Sequence, residues 1–238
     1  MAKYNEPHLA SAIVWWLNFL SATGREYIIA ERTLAIPASE YLERHFIDQV
    51  FLEHDHPALS QKKIDLYFKD TMMGVQSVFE FKYVRQDSTN PLKERKRYFN
   101  DLMRLHLASQ QGYKSYFLVC GNQINFNTCF QNFNLQGKYP TAGPRRGSTG
   151  PTTSGYFGEW FSFDKSVTAK SINLKNKDVD YEPIYRAFVK DYSDSYFDST
   201  ANKLILPNSI TTKLIFLSED LSATNIPQTF KIGIWEIS

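Results

Sequence analysis

Apolar positions change their period several times along this chain, and each change marks an element. Residues 7–22 are apolar at helical spacing and are closed by Gly24, which predicts a first helix. Tyr27 to Ala30 reads as a short strand. From Pro37 onward, Leu42, Phe46, Ile47 and Val50 form a helical stripe, so a second helix is expected to about Glu53. The runs 62–68 and 77–84 are rich in aromatic and β-branched residues and are punctuated by Gly74, the pattern of a hairpin. Asn90-Pro91 then supplies an N-cap and a first-turn proline for a helix over 91–110, whose apolar positions include Tyr98, Phe99, Leu102, Met103 and Leu105. Tyr113 to Cys120 is a strongly apolar strand stopped by Gly121.

Helix, hairpin, helix, strand is the order that returns a strand to its own sheet by a crossover. The expectation is an α/β fold, a mixed central sheet flanked by helices. Beyond Gly121, residues 122–135 are rich in Asn, Gln and Phe, and 137–158 in Gly, Pro, Ser and Thr, which reads as a flexible loop. A short helix over 180–192 and strands over 212–217 and 230–237 complete a C-terminal, β-containing extension. These late strands either lengthen the sheet or form a small β layer. At 238 residues the chain reads as a single domain, 1–238, with its core at about 25–121 and the extension at 122–238.

The hairpin carries the candidate chemistry. If Thr71 to Gly74 is its loop, residue 70 pairs with 75 and Asp65 faces Glu80. Directly opposed residues have Cβ atoms about 4.5–5.5 Å apart, so two carboxylates there repel unless a cation joins them. Side chains alternate faces along a strand, which places Lys82 beside Glu80 on the same side. Such a trio suits a hard metal held through oxygens, with a water oriented next to it. Glu94-Arg95-Lys96 has the same residue types but falls in a helix, where positions two apart do not face one another. The plain alternative for the strand trio is a surface salt bridge, which the apolar flanks on both faces oppose.

Composition narrows the field little. A net charge of +2 means any affinity for nucleic acid comes from local patches. Two cysteines, Cys120 and Cys129, build no disulfide framework, and a reducing, cytoplasmic setting fits. The apolar run 9–20 is too short to span a bilayer and reads as a packing helix. His45, His54 and His56 with the cysteines match no structural zinc spacing.

With this order of elements, Ile64-Asp65-Leu66 and Val78-Phe79-Glu80-Phe81-Lys82 resemble the signature of the PD-(D/E)XK nuclease superfamily, the restriction-endonuclease-like fold. The likeness covers about residues 36–121 and lacks the proline before the aspartate. It implies a Mg²⁺-dependent nuclease, with Mn²⁺ able to substitute, in which Asp65, Glu80 and the main-chain carbonyl of Phe81 bind metal and Lys82 positions or helps deprotonate a water. A helix acid usually completes the set, and Glu43, at the edge of the apolar stripe, is favoured over Glu40. Lys93, Arg95, Lys96, Arg97 and Arg104, and the pair Arg145-Arg146, are candidates to hold phosphates. Each has a solvated helix face or loop as its plain alternative.

The expected function is a DNA endonuclease of restriction, defence or repair type, with DNA favoured over RNA and no membrane partner. Cutting both strands commonly recruits two active sites, which leaves a homodimer open. The alternatives are an inactive nucleic-acid-binding or interaction module on the same fold, and a structural protein with incidental hairpin charges. Phe126, Phe130 and Phe133 suit base stacking in the former but fit better as core.

Overall fold

The structure is a computed structural model and describes residues 5–45, 49–71, 73–85, 91–131, 156–174, 188–192, 207–218 and 229–238. Seven strands form one mixed sheet in the order β1-β2-β3-β4-β7-β6-β5. They are β1 (Val50–Asp55), β2 (Lys63–Asp70), β3 (Val75–Val84), β4 (Lys114–Asn122), β5 (Ala169–Asn173), β6 (Ser209–Leu217) and β7 (Phe230–Ile237). Among these described strands only β3 and β4 pair in parallel, and helix α3 (Pro91–Gln110) makes the crossover between them. Antiparallel β7 sits directly beside β4, so the C-terminal extension lengthens the sheet and does not build a separate layer.

Helices cover both faces. On one, α1 (Glu6–Ala22) buries Leu9, Ile13 and Leu17, and α2 (Glu31–His45) buries Leu34 and Leu42, against Leu66, Phe79, Phe81 and Leu118. The spacing of four in α1 keeps its apolar positions on one stripe. On the other face, α3 packs Phe99, Leu102 and Met103 against Val78, Phe117 and Val119. Phe126 and Phe130 join this second core from the segment after α4 (Gln123–Asn125), and Phe157 and Trp160 join it from α5 (Tyr156–Trp160). Phe126 and Phe130 are therefore core residues, while Phe133 lies outside the described residues.

Local chemistry accounts for several boundaries. The Asn5 side chain accepts the His8 N–H at the start of α1. Gly24, at φ 68°, turns the chain out of that helix, and the next residue, Arg25, donates its N–H back to the Leu20 carbonyl at 2.8 Å. Three expectations fail here. Tyr27 to Ala30 is not a strand; Glu26–Ile28 is a single 3-10 turn. The second helix starts at Glu31, because the Thr33 hydroxyl reaches back to accept the Ala30 N–H at 2.8 Å and caps the helix there. Pro37 consequently lies inside α2 and not in its first turn. That helix also stops at His45, and Val50 to Asp55 is the edge strand β1. Of the expected short helix, residues 188–192 are described and helical. The loop 137–158 lies outside the described residues up to 155.

Gly233 in β7 permits the closest packing of the sheet. A Cβ at this position would run into the ring of Trp235. That ring cannot retreat: it is fully buried, 5.0 Å from the Phe161 ring and 5.6 Å from that of Phe130, and its Nε1–H donates to the Ser162 carbonyl at 3.0 Å. Gly233→Ala is expected to cost about 1–3 kcal/mol of stability through overpacking. Urea unfolding checks this, with a lowered midpoint at unchanged slope as the expected result.

Candidate active site

The β2–β3 ladder runs from Asp70↔Val75 to Leu66↔Phe79, the register expected from the sequence. The next pair in that register is Asp65 and Glu80, and there the ladder stops. Asp65 Oδ2 accepts the main-chain N–H of Phe81 at 2.7 Å, so a side chain replaces a strand carbonyl as acceptor. On the other edge, the β1–β2 pairing skips Glu53, whose φ of 50° is left-handed, between Leu52↔Leu66 and His54↔Ile64. Alternation breaks at the same place. Ile64 and Tyr67 belong to the α3-side core, Leu66 and Phe68 to the opposite one. This local irregularity re-aims the Asp65 side chain.

Glu80 and Lys82 point to the α3 face, as their strand neighbours Val78 and Val84 do. They are buried, at 2% and 7% exposure. A buried charge has to be paired, and here α3 supplies the partners. Arg104 Nη2 stands 2.8 Å from Glu80 Oε1, and Lys82 Nζ lies 2.7 Å from Asp101 Oδ2. Asp101 and Arg104 are one helical turn apart and contact each other at 3.6 Å. From the start of α2, Glu31 reaches Lys82 at 3.3 Å and Arg97 at 3.2 Å. Glu94 holds the other side of Arg97 at 3.1 Å.

Carboxylates outnumber cations in this cluster. Burial raises the pKa of Asp65, helped by the nearby Asp101 charge and opposed by the Phe81 N–H. Burial also pushes Glu80 well up, and Asp65 adds to this while Arg104 opposes it. Glu31 is raised too, by burial against the pull of Lys82 and Arg97. Burial alone would lower Lys82, but Asp101 and Glu31 outweigh it and raise its pKa. Lys82 is thus held as an ammonium. It can orient a nucleophile and stabilise negative charge, and it is poorly suited to removing a proton.

Among the described residues, no three acidic, His or Cys side chains are grouped around one metal position. Asp65 and Glu80 are nevertheless the carboxylates that could hold Mg²⁺ or Mn²⁺: Lys82 is occupied by Asp101 and Glu31, which leaves Arg104 as the one cation in contact with the hairpin pair among the described residues. Mg²⁺ takes one or two carboxylates and keeps several waters, so a pair is enough. The start of α2 borders two open cavities, with Arg32 lining both. Asp65 lines one of about 400 Å³ with Arg32 and Glu53. Glu31 lines the other, of about 430 Å³, with Arg85 and Arg97.

The remaining expected site residues are dispersed. Glu43 is exposed near the end of α2, as is Glu40, which pairs with Arg44 at 3.8 Å. Glu31 takes the place expected of a helix acid. Arg104, expected to hold a phosphate, is turned inward onto Glu80. Arg97 is half-exposed at the rim, and Lys96 pairs with Asp191 at 3.2 Å on the surface. Lys93 and Arg95 lie on α3 with side chains outside the described set, and Arg145 and Arg146 lie outside the described residues. Asp101 is the residue that sequence reasoning misses, although it sits three residues from Tyr98 and four from Leu105 on the buried stripe.

His56 anchors the turn of α3 that carries Arg104. Its Nδ1 accepts the N–H groups of Ala58 and Leu59, at 3.0 and 3.1 Å, which leaves the proton on Nε2 to be donated to the Arg104 carbonyl at 2.9 Å. Burial pushes its pKa down to about 4. The unfolded chain then binds the extra proton between about pH 6.5 and 4. The stabilisation is complete above about pH 6.5 and is lost as the pH falls through 4, on the order of 3 kcal/mol in all. His56→Gln should flatten this part of the stability–pH curve, measured by urea unfolding at pH 7.5 and 4.5. For the cluster itself, Lys82→Met should cost about 3–5 kcal/mol by stranding Asp101. Adding Asp101→Asn should recover at least about 1 kcal/mol of that sum, read from a double-mutant cycle.

Models of known protein families, curated proteins and solved structures contain no match to this chain, so what the cluster does has to be read from its own side chains.

Proposed function

We propose that this chain is a metal-dependent nuclease of the PD-(D/E)XK superfamily that hydrolyses phosphodiester bonds, with DNA as substrate and an endonuclease of restriction, defence or repair type as its class. One observation carries the reading: the hairpin register sets Asp65 against Glu80, with Lys82 next along the same strand face. Asp65, Glu80 and the Phe81 carbonyl are the metal ligands in this reading. A bound Mg²⁺ or Mn²⁺ would lower the pKa of a water and stabilise charge building on the phosphodiester. Asp65 is held in one orientation by the Phe81 N–H, which limits the freedom it has to lose on binding. Lys82, kept charged by Asp101 and Glu31, orients the nucleophile and offsets negative charge, and the proton released goes to solvent and not to Lys82. Arg85 and Arg97 at the cavity mouth are placed to meet the backbone of an incoming strand.

A second reading, an inactive nucleic-acid-binding module, draws on the Glu80–Arg104 pair, in which the carboxylate already has a cationic partner at 2.8 Å. Plasmid incubated with the protein and Mg²⁺ or Mn²⁺ separates the two. Wild-type protein should cut, and EDTA should abolish cutting. Asp65→Asn, which removes a ligand without stranding an ion pair, should slow the reaction at least about a hundredfold. Equal cutting by both proteins, or none on any DNA or RNA substrate, counts against catalysis. Salt-dependent binding without cleavage selects the second reading.

A further inference from the structure

With Arg104 on Oε1, Glu80 can offer a divalent cation only its other oxygen, and the two cations repel each other. Its carboxylate is 2% exposed, and the guanidinium stands 2.8 Å from Oε1. Lys82, the other buried cation, is committed to Asp101 and Glu31. Arg104 is therefore the group that neutralises Glu80 when no metal is present.

The geometry of this pair differs from that of a permanent structural bridge. A guanidinium held firmly on a carboxylate frequently makes two parallel N–H···O bonds. Here one nitrogen faces Glu80, the buried Nε donates to nothing among the described residues, and Nη1 is already turned towards a second carboxylate, Asp101, at 3.6 Å. The main chain beneath is fixed, because His56 donates to the Arg104 carbonyl at 2.9 Å. Any exchange of partners therefore falls to the side chain, and its next acceptor, Asp101, is one helical turn away on the same helix.

We propose that Arg104 is an internal counter-ion for the metal site. It holds Glu80 in the metal-free protein and passes to Asp101 when a divalent cation takes the carboxylate. This rests on the assignment of Asp65 and Glu80 as metal ligands. The exchange leaves Glu80 with a cationic partner in both states, and it makes Arg104 a competitor of the metal. Removing the competitor raises metal affinity, the opposite of what loss of a supporting residue does.

Mn²⁺ titration followed by the electron paramagnetic resonance signal of the free ion tests this without nucleic acid or turnover. Arg104→Gln is expected to bind Mn²⁺ at least tenfold more tightly than wild type. Arg104→Lys keeps a charge on a shorter, non-planar head and should fall between the two, and it serves if the glutamine variant does not fold. Glu80→Gln should abolish the site. Equal or weaker binding by the folded Arg104 variants, with a Glu80-dependent site present in wild type, overturns the counter-ion role and leaves the metal site standing. No Mn²⁺ binding at millimolar concentration by wild type or any variant overturns both.

Discussion

The need to neutralise carboxylates inside a sheet that is covered on both faces governs this molecule. Glu80 lies between apolar neighbours, under a helix, with almost no access to water. Lys82 on the same strand compensates it only in part, because Lys82 is drawn towards Asp101 and Glu31. Compensation has to come from across the layer, and α3 delivers it through Arg104. The crossover helix is thus bound to β3 by oppositely charged groups as well as by Phe99, Leu102 and Met103. Replacing such a set with apolar side chains is often neutral or stabilising. Its presence in a core this rich in aromatic residues argues for a use other than stability.

The arrangement also divides the labour among elements. The hairpin sets Asp65, Glu80 and Lys82, α3 sets Asp101 and Arg104, and the start of α2 adds Glu31 beside the two cavities. Each contributes through its most rigid part: a strand interior, a helix middle braced by His56, and a helix start capped by Thr33. Side chains on such supports keep their positions better than side chains on loops.

Much of the architecture is legible in the sequence, for a physical reason. The hairpin, α3 and β4 are each rich in one kind of apolar pattern and have Gly or Pro at or near a turn or end, so their existence and order follow, and the hairpin loop sets the register. Asp65 and Glu80 emerge because register is fixed by loop length and a period of two. The region 26–55 misleads because two signals overlap. Phe46, Ile47 and Val50 fit a helical stripe and so absorb the edge strand β1, while Pro37 imitates a helix start that Thr33 in fact sets six residues earlier. That displacement leaves Glu31, the α2 acid that contacts Lys82, outside the helix expected from the sequence. The pairing of Asp101 and Arg104 is hidden for another reason. Their partners are on a different element, and intervals within a helix carry no information about which strand lies beneath.

The bond from the Phe81 N–H to Asp65 has one more implication. A single oxygen acts both as a rung of the sheet and as the clamp that aims the carboxylate. A nascent or frayed polypeptide in which β2 has not yet docked has no aimed acid at all. On the nuclease reading proposed above, a chain still being made would have no cutting power.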